Sequence, residues 1–199
     1  MPTHHSPLTT HHSPLMNPLD ELQKLASHFP DRDRLFEKVE HIPASTTPEP
    51  YKSLLVHEQH MTVTMEQFYR CGVEVSVVFE ELQDPLYMRE ILLTKTGTQE
   101  VIQFGLVRFD FSYVTPAVKA EILAKELPLG RVLIRHNVLR HIDLGAILKI
   151  TPGPALRQHL QLTDASPVYG RMATIFCNGR PAVDLLEVAT PVPWPTSPP

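Results

Sequence analysis

The 199-residue sequence predicts one α+β domain in which helices flank an antiparallel β-sheet. Segments of strand length, with apolar residues at alternate positions, occupy most of the chain after residue 61. Turn signals at Lys95-Thr96-Gly97 and Asn178-Gly179 join such segments into hairpins. Helix-start signals with proline at the first helical position stand at Asn17-Pro18 and Thr115-Pro116. The hydrophobic content of 42% agrees with a single domain that has a substantial core.

The earliest element is a helix whose N-cap is Asn17. Pro18 occupies the first helical position, and acidic residues follow at the positive end of the helix dipole. Leucines and an alanine then line one face until about Phe29, and Pro30 ends the helix. Three prolines among serine and threonine residues make residues 42 to 50 a predicted connector.

Two strands are predicted next, joined by a turn near Cys71-Gly72. In the first, Met61, Val63 and Met65 alternate with polar residues, and in the second the segment from Val73 to Phe79 does so. The elements predicted after them are a hairpin over 86 to 94 and 100 to 109, a helix from Thr115-Pro116 to about Glu126, a helical turn and a strand within 131 to 150, a short helix over 153 to 161, and strands over 168 to 177 and 182 to 190.

Both ends of the chain are predicted to lie outside this domain. Residues 1 to 16 contain Thr-His-His-Ser-Pro-Leu twice and are predicted to form a disordered tail, and residues 193 to 199 form a proline-rich tail. The histidines of the first tail lack a fixed geometry, so we expect no specific metal site there. The predicted division is a helix and connector over 17 to 50 and the main domain over 51 to 192.

Charge and hydropathy exclude several classes of partner. The net charge is -4, with 18 Lys and Arg against 22 Asp and Glu, so no basic field attracts nucleic acid. No stretch approaches the roughly 18 apolar residues of a membrane span, and the first residues do not resemble an export signal. Cys71 and Cys177 stand alone, without the spacing of a zinc site or a disulfide framework. We therefore expect a cytoplasmic protein without a membrane span or a nucleic-acid partner.

Two charged residues lie at positions where the strand pattern predicts core residues. Arg89 shares a strand face with Tyr87, Ile91 and Leu93, and Glu187 stands among aliphatic residues. A buried unpaired charge costs at least several kcal/mol, so each residue must find a partner. They pair with each other, or point to solvent from an edge strand, or face a cavity where arginine holds a carboxylate and glutamate meets a hydroxyl or ether oxygen. The pattern alone leaves these alternatives open.

Several short runs together resemble the chorismate pyruvate-lyase family over about residues 51 to 192. The runs, in chain order, are Leu54-Leu55 with Met61-Thr62, Met88-Arg89-Glu90-Ile91-Leu92-Leu93, Pro128-Leu129-Gly130-Arg131, and Gly179-Arg180-Pro181 leading to Glu187 and Pro191. The resemblance implies an antiparallel sheet with helical flaps around an internal ligand site. It further implies the following contacts to a ring substrate: the side chain of Arg89 on the ring carboxylate, backbone groups of Met61 and Leu129 beside it, a close backbone approach at Gly105, and Glu187 at the opposite end.

The implied reaction converts chorismate to 4-hydroxybenzoate and pyruvate. It makes Arg89 and Glu187 the catalytic residues, with Glu187 giving a proton to the leaving oxygen, and it needs no metal or organic cofactor. Quinone synthesis is one route that would use the product. Chorismate has two carboxylates, so the resemblance also implies a second cation, for which the candidates are Arg108, Arg131, Arg135, Arg140 and Arg171.

Other interpretations place a different function on the same fold. One is a noncatalytic domain that binds an aromatic acid or another small molecule, like the effector-binding domains of some bacterial transcription regulators. Another is a structural protein in which Arg89 and Glu187 form an ion pair and no cavity exists. His136, His141 and His159 have spacings that match no ligand motif, so we expect solvated or capping roles for them. The segment from 136 to 168 departs most from the family pattern, and the oligomeric state is not predicted.

Overall fold

A computed structural model describes residues 17–191, which form a seven-stranded sheet with helices on both faces. The sheet order is β1-β5-β6-β7-β4-β3-β2, and all neighbouring strands are antiparallel. The strands are β1 Phe36–Ile42, β2 Val73–Gln83, β3 Leu86–Lys95, β4 Val101–Asp110, β5 Arg140–Pro152, β6 Val168–Cys177 and β7 Arg180–Ala189. The helices are α1 Pro18–Ala26, α2 Arg32–Leu35, α3 Tyr51–Leu55, α4 Met61–Tyr69, α5 Pro116–Ala124, α6 Leu129–Arg135 and α7 Pro154–His159. The predicted α+β class, an antiparallel sheet flanked by helices, is confirmed.

The two faces of the sheet are packed differently. One face is a continuous apolar core beneath α1, α2 and α7, to which Leu106 and Leu186 belong. The other face carries two separate apolar clusters, one beneath α5 and α6 and one beneath α3 and α4. Because successive strand residues alternate between faces, Val107 and Leu185 belong to this divided side. The division of that face leaves room for a polar site between the two clusters.

Local sequence signals explain many of the element boundaries. Asn17 caps α1, with its side-chain oxygen accepting a hydrogen bond from the amide of Leu19 at 3.0 Å. The hydroxyl of Thr115 accepts from the amide of Val118 at the start of α5. Asn178 and Gly179, with φ values of 53° and 76°, form the tight turn between β6 and β7. The hairpins β3/β4 and β6/β7 and helix α7 are confirmed.

The predicted strand through Met61, Val63 and Met65 is wrong, because Met61–Tyr69 forms helix α4. A strand places residues i, i+2 and i+4 on one face, and a helix also places residues i and i+4 on one face. Met61 and Met65 are such a pair, and both are buried in the cluster beneath α3 and α4. Strand β2 pairs with β3 instead, with Val73 opposite Lys95.

Strand β1 and helices α2 and α3 are absent from the sequence prediction. In β1 each residue of intermediate exposure is followed by two exposed ones, so this edge strand shows no clean alternation, although it pairs with β5. The boundary at residue 51 stays a prediction, and β1 lies on its N-terminal side. The predicted tails at 1 to 16 and 193 to 199 lie outside the described residues. Within residues 17–191, no helix is long and apolar enough to cross a membrane.

Candidate functional site

A cavity of about 50 Å³ lies between the two apolar clusters on the divided face of the sheet. Strands β3, β4, β6 and β7 contribute its floor, and the beginnings of α4 and α6 contribute its roof. Most lining residues are apolar, as is usual for a ligand site with a few polar groups that fix orientation. The residues that matter most for its chemistry are Arg89, Gln103, Arg171, Glu187, Met61 and Leu129.

Arg89 supplies a buried positive charge to the cavity. It stands on β3 between Tyr87 and Ile91, which belong to different apolar clusters, and only 1% of its surface is exposed. Within residues 17–191, its Nε and Nη1 atoms have no hydrogen-bond partner. Burial lowers the pKa of Arg89, whereas Tyr87 and Glu80 favour the charged form. An arginine keeps its proton inside proteins, so this guanidinium is a positive charge prepared to receive an anion.

Glu187 is paired with Arg171, and not with Arg89. Arg171 Nε donates to Glu187 Oε2 at 2.7 Å, from a directly opposite position on the neighbouring strand β6. The structure therefore shows an ion pair between Arg171 and Glu187 in place of the hypothesised pair between Arg89 and Glu187. One positive charge stays unbalanced among the lining arginines and glutamate, and it is that of Arg89.

Arg171 also holds the segment between α3 and α4, residues 56–60, which we call the lid loop. Its Nη1 donates to the carbonyl oxygen of His57 at 2.8 Å, and its Nη2 donates to that of Gln59 at 2.9 Å. The Nδ1 atom of His57 lies 3.1 Å from the same Nη1. Arg171 thus joins the floor of the cavity to the loop above it.

Met61 and Leu129 are the first residues of the two roof helices, α4 and α6. The first amides of any helix lack intrahelical partners, and the N-cap residue His60 provides no side-chain cap to α4. Met61 and Thr62 line the cavity there, beside the positive end of the α4 dipole. Leu129 lines it from α6.

Gly105 lies under the cavity floor and does not line the cavity. It pairs with Ile91 on one side and with Glu187 on the other. A Cβ atom at Gly105 would lie 3.1 Å from Cγ1 of Ile91, closer than ordinary packing allows. Because Gly105 has no side chain, the space above its backbone stays open between Ile91 and Glu187.

The remaining candidate cations do not line the ligand cavity, and each has a partner. Arg108 pairs with Asp184, and neither lines it. The other pairs are Arg131 with Glu66, Arg135 with Glu121, and Arg140 with His60. Of the five candidate arginines, Arg171 alone lines the cavity. The histidines named from the sequence also lie elsewhere: His136 contacts Glu121, His159 contacts Glu90, and His141 packs near Phe176.

His60 connects the lid loop to α6 as a neutral side chain. Arg140 Nε donates to His60 Nε2 at 3.0 Å, so this nitrogen is the acceptor. Burial, and then the charges of Arg140 and Arg171, lower the pKa of His60 to about 4. A Cβ atom at Gly130 would lie 2.7 Å from His60 Nδ1, which shows how closely the two segments pack.

The lowered pKa of His60 predicts a loss of stability in mild acid. The unfolded chain takes up the proton near pH 6.5 and the folded chain only near pH 4, so the stabilisation is complete above the first value and is lost towards the second. The contribution is at most about 3 kcal/mol. Urea unfolding at neutral pH and near pH 4.5 should show that acid lowers the free energy of unfolding more for the native sequence than for His60→Gln. Equal losses would contradict the assignment, and the exposed His141→Gln is the control.

Gln103, Arg171 and the lid loop are parts of the site that sequence reasoning did not identify. Gln103 carries the same signal as Arg89, because it is a polar residue within the apolar run of β4. Arg171 was one of five equivalent candidates, and strand register was needed to select it.

Comparisons with known proteins returned solved structures only. No family model and no curated protein matches the chain. The chain is similar to PhnF from Mycobacterium smegmatis, with a TM-score of 0.48 and 12% identity over 68% of this chain and 65% of that one, so it spans less than two thirds of that structure. It is similar to gene product SA0254 from Staphylococcus aureus, with a TM-score of 0.47 and 12% identity over 68% and 90%. For a GntR-family transcriptional regulator from Bacillus cereus, the TM-score is 0.43, with 11% identity over 64% and 99%.

The predicted membership of the chorismate pyruvate-lyase family is wrong. The comparisons return GntR-family transcriptional regulators and give no support to a lyase. The predicted conversion of chorismate to 4-hydroxybenzoate and pyruvate, and the link to quinone synthesis, are wrong with it. In the structure Oε2 of Glu187 already accepts a hydrogen bond from Nε of Arg171 at 2.7 Å, whereas the predicted reaction needs Glu187 to face a leaving oxygen.

Proposed function

We propose that this chain binds a small organic anion without transforming it, and that Arg89 is the residue that holds the anionic group. The observation that carries the proposal is the buried guanidinium with two donor atoms that have no partner within residues 17–191. A carboxylate matches the two-pronged arginine geometry and would remove the cost of the unpaired charge. The single unbalanced charge favours a monoanion.

Ligand entry in this proposal requires the lid loop to move. The cavity of about 50 Å³ has room for a few water molecules. Pockets that enclose drug-sized ligands span roughly 300 to 1,000 Å³. The lid loop is attached to the floor mainly through hydrogen bonds from Arg171, and it packs on α6 through His60. Binding would therefore shift the lid loop from a closed to an open conformation, and a ligand sensor requires such a conformational change.

The proposed setting is the cytoplasm, with a small molecule as the partner. Cys71 and Cys177 are both free thiols, which suits a reducing compartment. The net charge of -4 supports no nucleic-acid contact by this chain itself. Site roles for Met61, Leu129, Gly105 and Glu187 are part of the same proposal, with Glu187 as a polar wall of the site.

Thermal unfolding with matched ligands tests this function. Benzoate and benzamide have similar shapes but differ in charge, and acetate and inorganic phosphate extend the series. A binding carboxylate at 100 times its Kd should stabilise the protein by about 2.7 kcal/mol, which corresponds to roughly 5 to 10 °C in Tm for a chain of this size. Benzamide should give a much smaller shift. If no anion in the series exceeds its neutral counterpart or a chloride control, the proposal is wrong.

A further inference from the structure

Gln103 is a second buried polar group in the cavity whose acceptor has no partner. It lies on β4, 1% of its surface is exposed, and its Oε1 atom makes no hydrogen bond within residues 17–191. Its strand neighbour Phe104 is buried in the continuous core on the opposite face of the sheet. An apolar side chain would fill this position without leaving a polar atom unpaired. A glutamine at this position therefore indicates that its side chain contacts a polar partner and not the apolar core.

Strand register separates Gln103 from Arg89 along the sheet. Arg89 pairs with Val107, so the two polar residues lie four positions apart along β4, a distance of roughly 13 Å between their backbone levels. Gly105 and its partner Glu187 lie between those levels. The cavity thus has a cationic end at Arg89 and an uncharged acceptor end at Gln103, with a carboxylate in between.

The charges orient a ligand along this axis. A carboxylate is attracted to Arg89, whereas the ion pair of Arg171 and Glu187 is neutral as a whole, so the anionic group is directed to the Arg89 end. An amide oxygen only accepts hydrogen bonds, and so does a carboxylate. A hydroxyl or an N–H group of the ligand can donate to the Gln103 oxygen, whereas a hydrocarbon would leave that oxygen unpaired.

We propose that the ligand is an organic acid with a hydroxyl or N–H donor remote from its carboxylate, and that Gln103 selects it by accepting from that donor. This inference depends on the proposed anion-binding function. It assigns charge recognition to Arg89 and discrimination among acids to Gln103. A site that expects a donor rejects an analogue without one, because the buried acceptor is then left unpaired.

The test measures the Kd of benzoate and of the hydroxybenzoates and aminobenzoates by calorimetry. The native protein should bind at least one hydroxylated or aminated benzoate roughly tenfold or more tightly than benzoate. In Gln103→Met that preference should fall to about onefold, because the accepting oxygen that distinguishes the acids is gone. Gln103→Asn keeps the amide but shortens its reach, so it should also lose most of the preference.

Thr47→Val is the matched control for removing a buried unpaired oxygen. The hydroxyl of Thr47 has no partner within residues 17–191, and Thr47 does not line this cavity, so the ligand preference should not change. A preference that persists in Gln103→Met, or no preference in the native protein, would overturn the role of Gln103 while benzoate binding through Arg89 stands. Absence of all benzoate binding would instead refute the proposed function and this inference together.

Discussion

Arg89→Met should make the ligand-free protein more stable and at the same time abolish anion binding. The native guanidinium is buried, with two donor atoms that lack partners within residues 17–191. Methionine is unbranched and apolar, so it fills much of the same space without the desolvation cost. Replacing buried charge with apolar side chains can stabilise a protein by about 1 to 4 kcal/mol. We expect an increase in this range in the free energy of unfolding.

The same substitution removes the proposed anchor for the ligand. Loss of one partner of a buried charge-assisted contact typically costs about 2 to 5 kcal/mol of binding free energy, or roughly 30-fold or more in Kd. Urea unfolding and benzoate titration on one preparation measure both effects. Arg108→Met is the control, because Arg108 is already paired with Asp184 and lies outside the cavity. A lower stability for Arg89→Met would show that the guanidinium has partners that stabilise the fold.

Opposite signs for stability and binding would identify Arg89 as a residue kept for function. Structural residues lose stability when they are removed, whereas residues in binding sites often carry a cost that the rest of the fold compensates. Here the compensation comes from the continuous core beneath α1, α2 and α7, which is independent of the cavity. The divided face can then carry polar groups.

Strand alternation was sufficient to identify Arg89 and Glu187 as unusual, because it depends only on neighbours in the chain. It also placed β3, β4, β6 and β7, whose hairpin turns carry strong local signals. The pairing of Glu187 with Arg171 depends on the register between β6 and β7, which local patterns do not determine.

The roof of the site was the least predictable part. The first residues of α4, Met61 to Glu66, fit both a helix and a strand pattern, and packing of Met61 and Met65 against the sheet decides between them. The edge strand β1 lacks alternation, since two exposed residues separate each pair of residues with intermediate exposure, and so its sequence carries no strand signal. The family resemblance named Arg89 and Glu187, which both line the cavity, but the reaction that it implied is wrong, since a likeness in short motifs does not establish a shared reaction.

Arg171→Met should cause the largest loss of stability among these substitutions. It leaves Glu187 as a buried, uncompensated carboxylate, and removing one partner of a buried pair costs about 3 to 5 kcal/mol. It also releases the lid loop, since hydrogen bonds to the carbonyl oxygens of His57 and Gln59 disappear. Urea unfolding measures the first effect, and hydrogen exchange of residues 56–60 measures the second.

The double variant Arg171→Met with Glu187→Leu separates these two effects. Removing Glu187 as well eliminates the stranded charge, so the double variant should regain much of the stability that Arg171→Met alone loses. The lid loop stays detached in both variants, so its exchange should remain fast and benzoate should associate faster than with the native protein. A double variant as unstable as the single one would mean that the lid contacts, and not the ion pair, carry the stability. Under the proposed function, the free energy of detaching the lid loop is subtracted from the binding free energy of each ligand, so the hydrogen bonds from Arg171 to the loop would limit the affinity of the site.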